Sequence, residues 1–187
     1  ACNVAATFQV SRDGRLDVSL FCRSNDIIWG AYGANAVHFS MLQEYVAASV
    51  GVEVGTLTQI SVNWHAYFDV FEKTNTAMYL DRDNVVFPYE WDEVAPYPIM
   101  SMPREQWDVD CRRFVTDDGK LPDLTRSSFA DSFFRDVAWP IVQAHDIYKN
   151  EFIAKDSRIH EAIAAMQLCE ATDWRRACVE WLERRRP

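Results

Sequence analysis

The sequence predicts an α/β (α+β) protein, a sheet packed on helices, with an added helical C-terminal part. Three observations lead there: strand-like runs flank a helical run within residues 4–63, helical periodicity returns over 128–187, and prolines crowd the stretch between. The chain has 187 residues, 49% of them apolar and 25% charged, which is enough to bury one substantial core.

Residues 4–11 and 16–23 flank Arg12-Asp13-Gly14-Arg15, and Leu16, Val18, Leu20 and Cys22 alternate with Asp17, Ser19 and Phe21. Strand period on both sides of an Asp-Gly predicts a β-hairpin, since glycine supplies the positive φ of a tight turn. From Asn35 to Val50 the apolar positions Val37, Met41, Leu42, Tyr45 and Val46 recur at helical spacing, and Gly51 marks a stop. This helix is expected to be largely buried. Residues 54–63, "VGTLTQISVN", are rich in β-branched types and predict a strand leading into Trp64-His65-Ala66-Tyr67.

The stretch 81–127 holds Pro88, Pro96, Pro98, Pro103 and Pro122, which predicts irregular structure docked through Trp91, Tyr97, Ile99 and Trp107. Three helices are expected near 128–149, 156–170 and 173–185, with Asp156 or Ser157 and Thr172 or Asp173 as N-caps and Pro140 interrupting the first. Trp174, Cys178 and Trp181 share one helical face and read as core. The organisation is then a core over 1–80, a packed connection over 81–127 and a helical part over 128–187 of the same domain.

A formal charge of −9 repels phosphate polymers, so no nucleic-acid partner is expected. The one dense basic run, Arg184-Arg185-Arg186, suits a helix C-terminus. Cys2, Cys22, Cys111, Cys169 and Cys178 are an odd set without paired CxxC spacing, which argues against a disulfide framework and against a metal site. A reducing cytoplasm fits that usage. No apolar run has the length of a membrane span and the N-terminus has no signal-peptide pattern, so no membrane partner is expected.

Several polar residues invite a chemical reading beside an ordinary one. Arg23 and Ser24 at a strand end could bind a phosphate through a charged fork and a hydroxyl, or be a solvated turn. Asp26 is a turn former or helix cap by default. His65 and Tyr67 lie two apart, so a continuing strand would put both on one face, as ligand contacts or as a half-buried pair. Cys2 is a nucleophile or a small buried hydrophobe.

Taken in order, these residues resemble the thymidylate synthase superfamily, which includes the deoxycytidylate hydroxymethylases. The run is Cys2, the hairpin, Arg23-Ser24-Asn25-Asp26, Gly30, Asn35, Val54-Gly55 and His65-Ala66-Tyr67, with the spacings from Asn35 to Gly55 and on to His65 matching without a gap. The resemblance implies a sheet-on-helix core of that family and a catalytic set of Cys2, Asp26 and Asn35. Cys2 would add as thiolate to carbon 6 of the pyrimidine, making carbon 5 a nucleophile toward the one-carbon unit of 5,10-methylenetetrahydrofolate. Arg23 and Ser24 would hold the 5′-phosphate, Arg23 also helping to lower the Cys2 pKa. Asp26 and Asn35 would serve the base, and His65 and Tyr67 the ribose hydroxyl. The substrate implied is a pyrimidine deoxynucleotide monophosphate. An amide at Asn35, with donor and acceptor, matches uracil, whereas a carboxylate would suit the cytosine amino group.

Two departures accompany the match, besides a loop at Ala31-Tyr32-Gly33-Ala34 that is one residue longer than usual. The family carries a substantial portion before its cysteine, with folate residues, further arginines and a glutamate, whereas here Cys2 is the second residue. A fragment, a separate N-terminal polypeptide or lost catalysis would each account for that. Beyond Tyr67 the helices replace a short sheet-rich end, and closure there would govern whether hydride or water reaches the exocyclic methylene. The resemblance implies a homodimer and methylation of deoxyuridine monophosphate, with hydroxymethylation of dUMP or dCMP as the alternative. A nucleotide-binding module without catalysis, or an assembly protein with no nucleotide affinity, would be the non-enzymatic readings.

Overall fold

Residues 2–72, 89, 94–101, 103–115 and 125–186 are described in a computed structural model of the chain. They fall into two units, Ala1–Val86 and Phe87–Pro187. Pro88, Trp91 and Pro122 of the proline-rich stretch lie outside the described residues.

In the first unit β1 (Asn3–Val10) and β2 (Arg15–Cys22) form the expected antiparallel hairpin. Its turn closes through the Ser11 and Gly14 N–H groups, which donate to Arg15 O at 2.8 Å and Ser11 O at 3.1 Å, with Gly14 at φ 81°. The strand β3 (Asn25–Asp26) and a π-helical turn, Ile27–Ala34, lead into α1 (Asn35–Val50), which ends where Gly51 turns left-handed. β4 (Glu53–Ser61) returns parallel to β2, and the short β5 (Trp64–His65) runs parallel to β3. The strand expected over 54–63 thus ends two residues early and restarts as β5 beside β3. Sheet order is β1-β2-β4, with the β-helix-β crossover carried by α1.

Leu16, Val18, Leu20 and Cys22 of β2 are buried on one face. Over that face lies α1, where the Gln43 amide donates to Leu16 O at 2.7 Å. The expectation of a largely buried helix fails, because only Gln43 and Ala47 of α1 are buried while Val37 and Leu42 are exposed. Among the described residues the sheet has three strands and covers one stripe of the helix, and the remaining apolar positions stay at its flanks.

The second unit is helical: α2 (Arg104–Phe114), a π-helical turn Phe134–Ala138 running into α3 (Trp139–Lys149), α4 (Lys155–Met166) and α5 (Thr172–Glu183). Pro140 interrupts as expected: the wide turn, whose last bond runs from Trp139 N–H to Phe134 O, becomes a regular helix where the proline occupies its first turn. The expected caps are not used. Ala154 and Ala171 hold the N-cap positions, and Asp156 and Asp173 sit in the first turns, where their charge favours the helix dipole. Asp173 is further held by the Tyr89 hydroxyl, which donates to it at 2.8 Å.

Rings of Trp107, Phe114, Phe129, Phe134 and Trp139 pack at 5.1–6.2 Å to make the aromatic core. Trp174 joins it against Phe133, but Trp181 is 38% exposed, with Arg185 stacked 3.6 Å over its ring, so the predicted core face of α5 is core only in part. Arg185 also donates to Trp181 O at 2.9 Å, the helix-end role expected of the basic run. No helix among the described residues is long and apolar enough to cross a membrane.

Three buried aspartates tie this unit together. Asp110 accepts from the Ala130 and Asp131 N–H groups at 2.8 and 2.7 Å, and Asp131 in turn accepts from Ser101 and Phe133. Asp136 is gripped by Arg126 and Arg135 at 2.6 and 2.7 Å. Burial pushes the Asp136 carboxyl up, but the hydrogen bonds and charges of Arg135 and Arg126 outweigh it and hold it below its ordinary value. Asp110→Ala strands the buried Asp131 N–H and the part-buried Ala130 N–H, so urea unfolding should show a loss of about 2–4 kcal/mol. Because the folded Asp136 value is depressed, its stabilisation is fully present above the unfolded carboxylate pKa and fades as pH falls below about 4. Asp136→Asn should therefore flatten the fall of the urea midpoint between pH 5 and pH 3.

Candidate active site

The site forms where β2 and β4 end and α1 begins. Hydrogen bonds from Val62 N–H to Cys22 O (3.0 Å) and Asn25 N–H to Asn63 O (2.9 Å) keep the chain leaving β2 beside the chain leaving β4. Cys2 is drawn in from the other side, since its carbonyl accepts from Arg23 N–H at 2.9 Å. Cys2 and Arg23, twenty-one positions apart, are thus backbone neighbours, both exposed.

Ser24 and His65 meet directly, Oγ to Nδ1 at 3.3 Å, and the Asn63 amide donates to the same hydroxyl at 3.4 Å. His65 and Tyr67 do lie together, with rings edge to face at 5.5 Å, but not for the reason expected. β5 stops at His65, and Tyr67 instead leads a helical turn through hydrogen bonds from Val70 and Phe71 to its carbonyl.

Asp26 divides its two oxygens. Oδ1 caps the π-helical turn by accepting from Trp29 N–H, the ordinary role foreseen for it. Oδ2 is buried and has no hydrogen-bond partner among the described residues. A buried acceptor without a donor is costly, so this atom has room for a donor that the described residues do not supply.

Asn35 opens α1 and reaches back to the sheet. Its Nδ2 donates to Asn25 Oδ1 at 2.9 Å, and its Oδ1 accepts from Asn3 Nδ2 at 3.4 Å. Asn25 is 2% exposed and donates to Gln59 Oε1 at 3.3 Å and Ser61 Oγ at 3.2 Å. A Cβ at position 30 would overlap Asn25 Oδ1 and stand 3.4 Å from Asn35 Nδ2, so Gly30 is glycine because two amides pass against it.

Asn3, Asn25, Gln59, Ser61 and Asn63 escaped the sequence reading. A signal existed for two of them: Gln59 and Ser61 continue the half-buried face of β4 that Leu57 occupies, where a polar side chain requires a partner.

Among the cysteines Cys2 is exposed, Cys22 and Cys169 are buried, and Cys111 and Cys178 are half-buried. Burial pushes the Cys22, Cys111 and Cys178 thiols up, and takes Cys169 to about 11. The Cys22 thiol thereby keeps its proton, which it donates to Asn3 Oδ1 at 3.1 Å.

Comparison with known proteins adds a family. Residues 1–91 match the thymidylate synthase family. The deoxyuridylate hydroxymethyltransferase of Pseudomonas phage M6 is 45% identical over 190 aligned positions, covering 99% of this chain and 52% of that protein. The deoxyuridylate hydroxymethyltransferase of Bacillus phage SP01 is 46% identical over 68 positions, 36% of this chain and 18% of that protein. The chain therefore spans about half the length of the phage M6 protein and less of the other. The helical part, beyond the residues that match the family, lies within the alignment to the phage M6 protein.

Exposure and pKa together rank the thiols. With iodoacetamide at neutral pH, peptide mapping should find Cys2 alkylated first and Cys169 last, the thiolate being the reacting form. Equal rates at Cys2 and Cys22 would contradict the ranking.

Proposed function

Because residues 1–91 match the thymidylate synthase family, we propose that this chain carries the cysteine-bearing part of a deoxyuridylate hydroxymethyltransferase. The observation that carries the choice is the match of 99% of the chain, helical part included, to a protein of that name. Methylation of the same nucleotide, the first expectation from the motifs alone, is the second reading, since both reactions use the same residues.

In this reading Arg23 holds the 5′-phosphate by charge-assisted hydrogen bonds, with Ser24 as a further donor oriented by His65 and Asn63. Tyr67 and His65 line the ribose. The Cys2 thiolate adds to carbon 6, forming the carbon–sulfur bond, and the electron pair of the 5,6 double bond passes to carbon 5 and the adjoining carbonyl. Asp26 Oδ2, which has no donor among the described residues, takes one from the polar network at the base, and Asn35 reads the pyrimidine edge. The one-carbon donor, methylenetetrahydrofolate, supplies an electrophilic methylene to carbon 5. Carbon 5 bonds to that methylene, and loss of the carbon 5 proton expels tetrahydrofolate as the methylene–nitrogen bond breaks. Water then adds to the exocyclic methylene, giving up a proton, while the carbon–sulfur bond breaks and Cys2 leaves as thiolate.

Residues for the folate belong to a further N-terminal portion in this proposal, within the same polypeptide or on another. A homodimer is proposed through the sheet face opposite α1, where the paired residues Phe21 and Ile60 are 37% and 44% exposed.

Incubation of this chain together with that N-terminal portion, with dUMP and methylenetetrahydrofolate and mass spectrometry of the nucleotide, tests the reading. A product heavier by one CH2O unit supports hydroxymethylation and one heavier by CH2 supports methylation. Cys2→Ser should lower turnover by at least about a thousandfold. Arg23→Ala should weaken dUMP binding about tenfold to a hundredfold, the worth of a charged hydrogen bond. An unaltered dUMP affinity in Arg23→Ala would overturn the phosphate assignment.

A further inference from the structure

The amides around Asn35 form one chain of hydrogen bonds with a single direction. Gln59 Nε2 donates to Ala31 O at 2.9 Å, which leaves Gln59 Oε1 to accept from Asn25 Nδ2. Asn25 Oδ1 then accepts from Asn35 Nδ2, Asn35 Oδ1 from Asn3 Nδ2, and Asn3 Oδ1 from the Cys22 thiol. A side-chain amide can ordinarily sit in either of two flips. Here the first acceptor is a backbone carbonyl, which cannot become a donor. Turning Gln59 over would face two carbonyl oxygens, and turning Asn35 alone would oppose oxygen to oxygen at Asn25 and N–H to N–H at Asn3.

We infer that Asn25, anchored through Gln59 to the Ala31 carbonyl, is a positioning residue that holds Asn35 in one flip, and that this selects uracil over cytosine. The inference rests on the deoxyuridylate reading above. With one Nδ2 hydrogen bound to Asn25 and one Oδ1 lone pair used by Asn3, Asn35 keeps one donor and one acceptor in fixed positions. Uracil presents a carbonyl and a ring N–H to such a pair. Cytosine presents an amino group and a bare ring nitrogen, the same pattern reversed, and would need the other flip. Preference therefore requires an amide that cannot turn, and the rest of the chain supplies it. Gly30 keeps the Asn25–Asn35 contact open, as any side chain there would enter it.

Two variants break the anchor without touching the reading residue. Asn25→Ala removes the link itself. Gln59→Leu leaves Asn25 with Ser61, whose hydroxyl donates or accepts, so the Asn25 amide is free to turn, and it serves if Asn25→Ala does not fold. The full chain and both variants would be titrated with dUMP and with dCMP, and the Asn35 carboxamide followed by 15N–1H NMR in the absence of nucleotide. Expected results are a preference for dUMP in the unaltered chain that falls at least about tenfold in the variants, the scale of one paired base contact, with a shifted Asn35 carboxamide signal. Tight dUMP binding with an unchanged dUMP-to-dCMP ratio, or an unmoved Asn35 signal, would overturn the positioning role and leave the function standing. Failure of the unaltered chain to bind either nucleotide would overturn the deoxyuridylate reading of the cleft and the selectivity with it.

Discussion

A buried amide must find partners on every side, and Asn25 does so by joining three elements at one point. Its side chain reaches β4 through Gln59 and Ser61 and the start of α1 through Asn35, while its backbone bonds Asn63 beside β5. The place where the strands of the sheet give way to the helix is therefore set by polar contacts. Apolar packing alone is non-directional and would allow that junction to slide. The position of Cys2 follows from the same region, since its carbonyl accepts from the N–H of Arg23, two residues before Asn25.

The helical unit solves a similar problem with charge. Asp110, Asp131 and Asp136 are all nearly or wholly buried, and each is surrounded by N–H groups or guanidinium groups. Asp110 and Asp131 bind backbone N–H groups around the start of the segment leading to Phe134, so they direct the chain into the aromatic cluster. Partners are essential to this arrangement, because a carboxylate in such a setting without them would be strongly unfavourable. In both units the apolar residues provide the bulk of the burial and a few satisfied polar groups decide the path.

Asp26 divides its two oxygens between a structural contact and an open acceptor. Its capping oxygen fixes the π-helical turn that carries Gly30, and its second oxygen stays buried and open to a donor. The ordinary reading of this aspartate as a cap holds for one oxygen, and the proposed role toward the base rests on the other.

Much of the first unit was legible from residue order. The hairpin, α1 and the later helices follow from local periodicity and turn chemistry, which act between residues near in the chain. The ordered motif from Cys2 to Tyr67 likewise pointed to the family that comparison bears out. Other features depended on which surfaces meet. Burial of α1 was overestimated because periodicity marks an apolar face but not the width of the sheet beneath it. Caps at Asp156 and Asp173 were misplaced because the turn before each helix decides which residue enters it first. The relay from Ala31 to Cys22 could not be read at all: its members are scattered from Asn3 to Gln59, and each hydrogen bond depends on orientations that exist only once the strands and α1 have closed together. Sequence by itself determined the elements and the identity of the polar groups. Only the tertiary structure decided which way each amide faces, because that choice is made by partners distant in the chain.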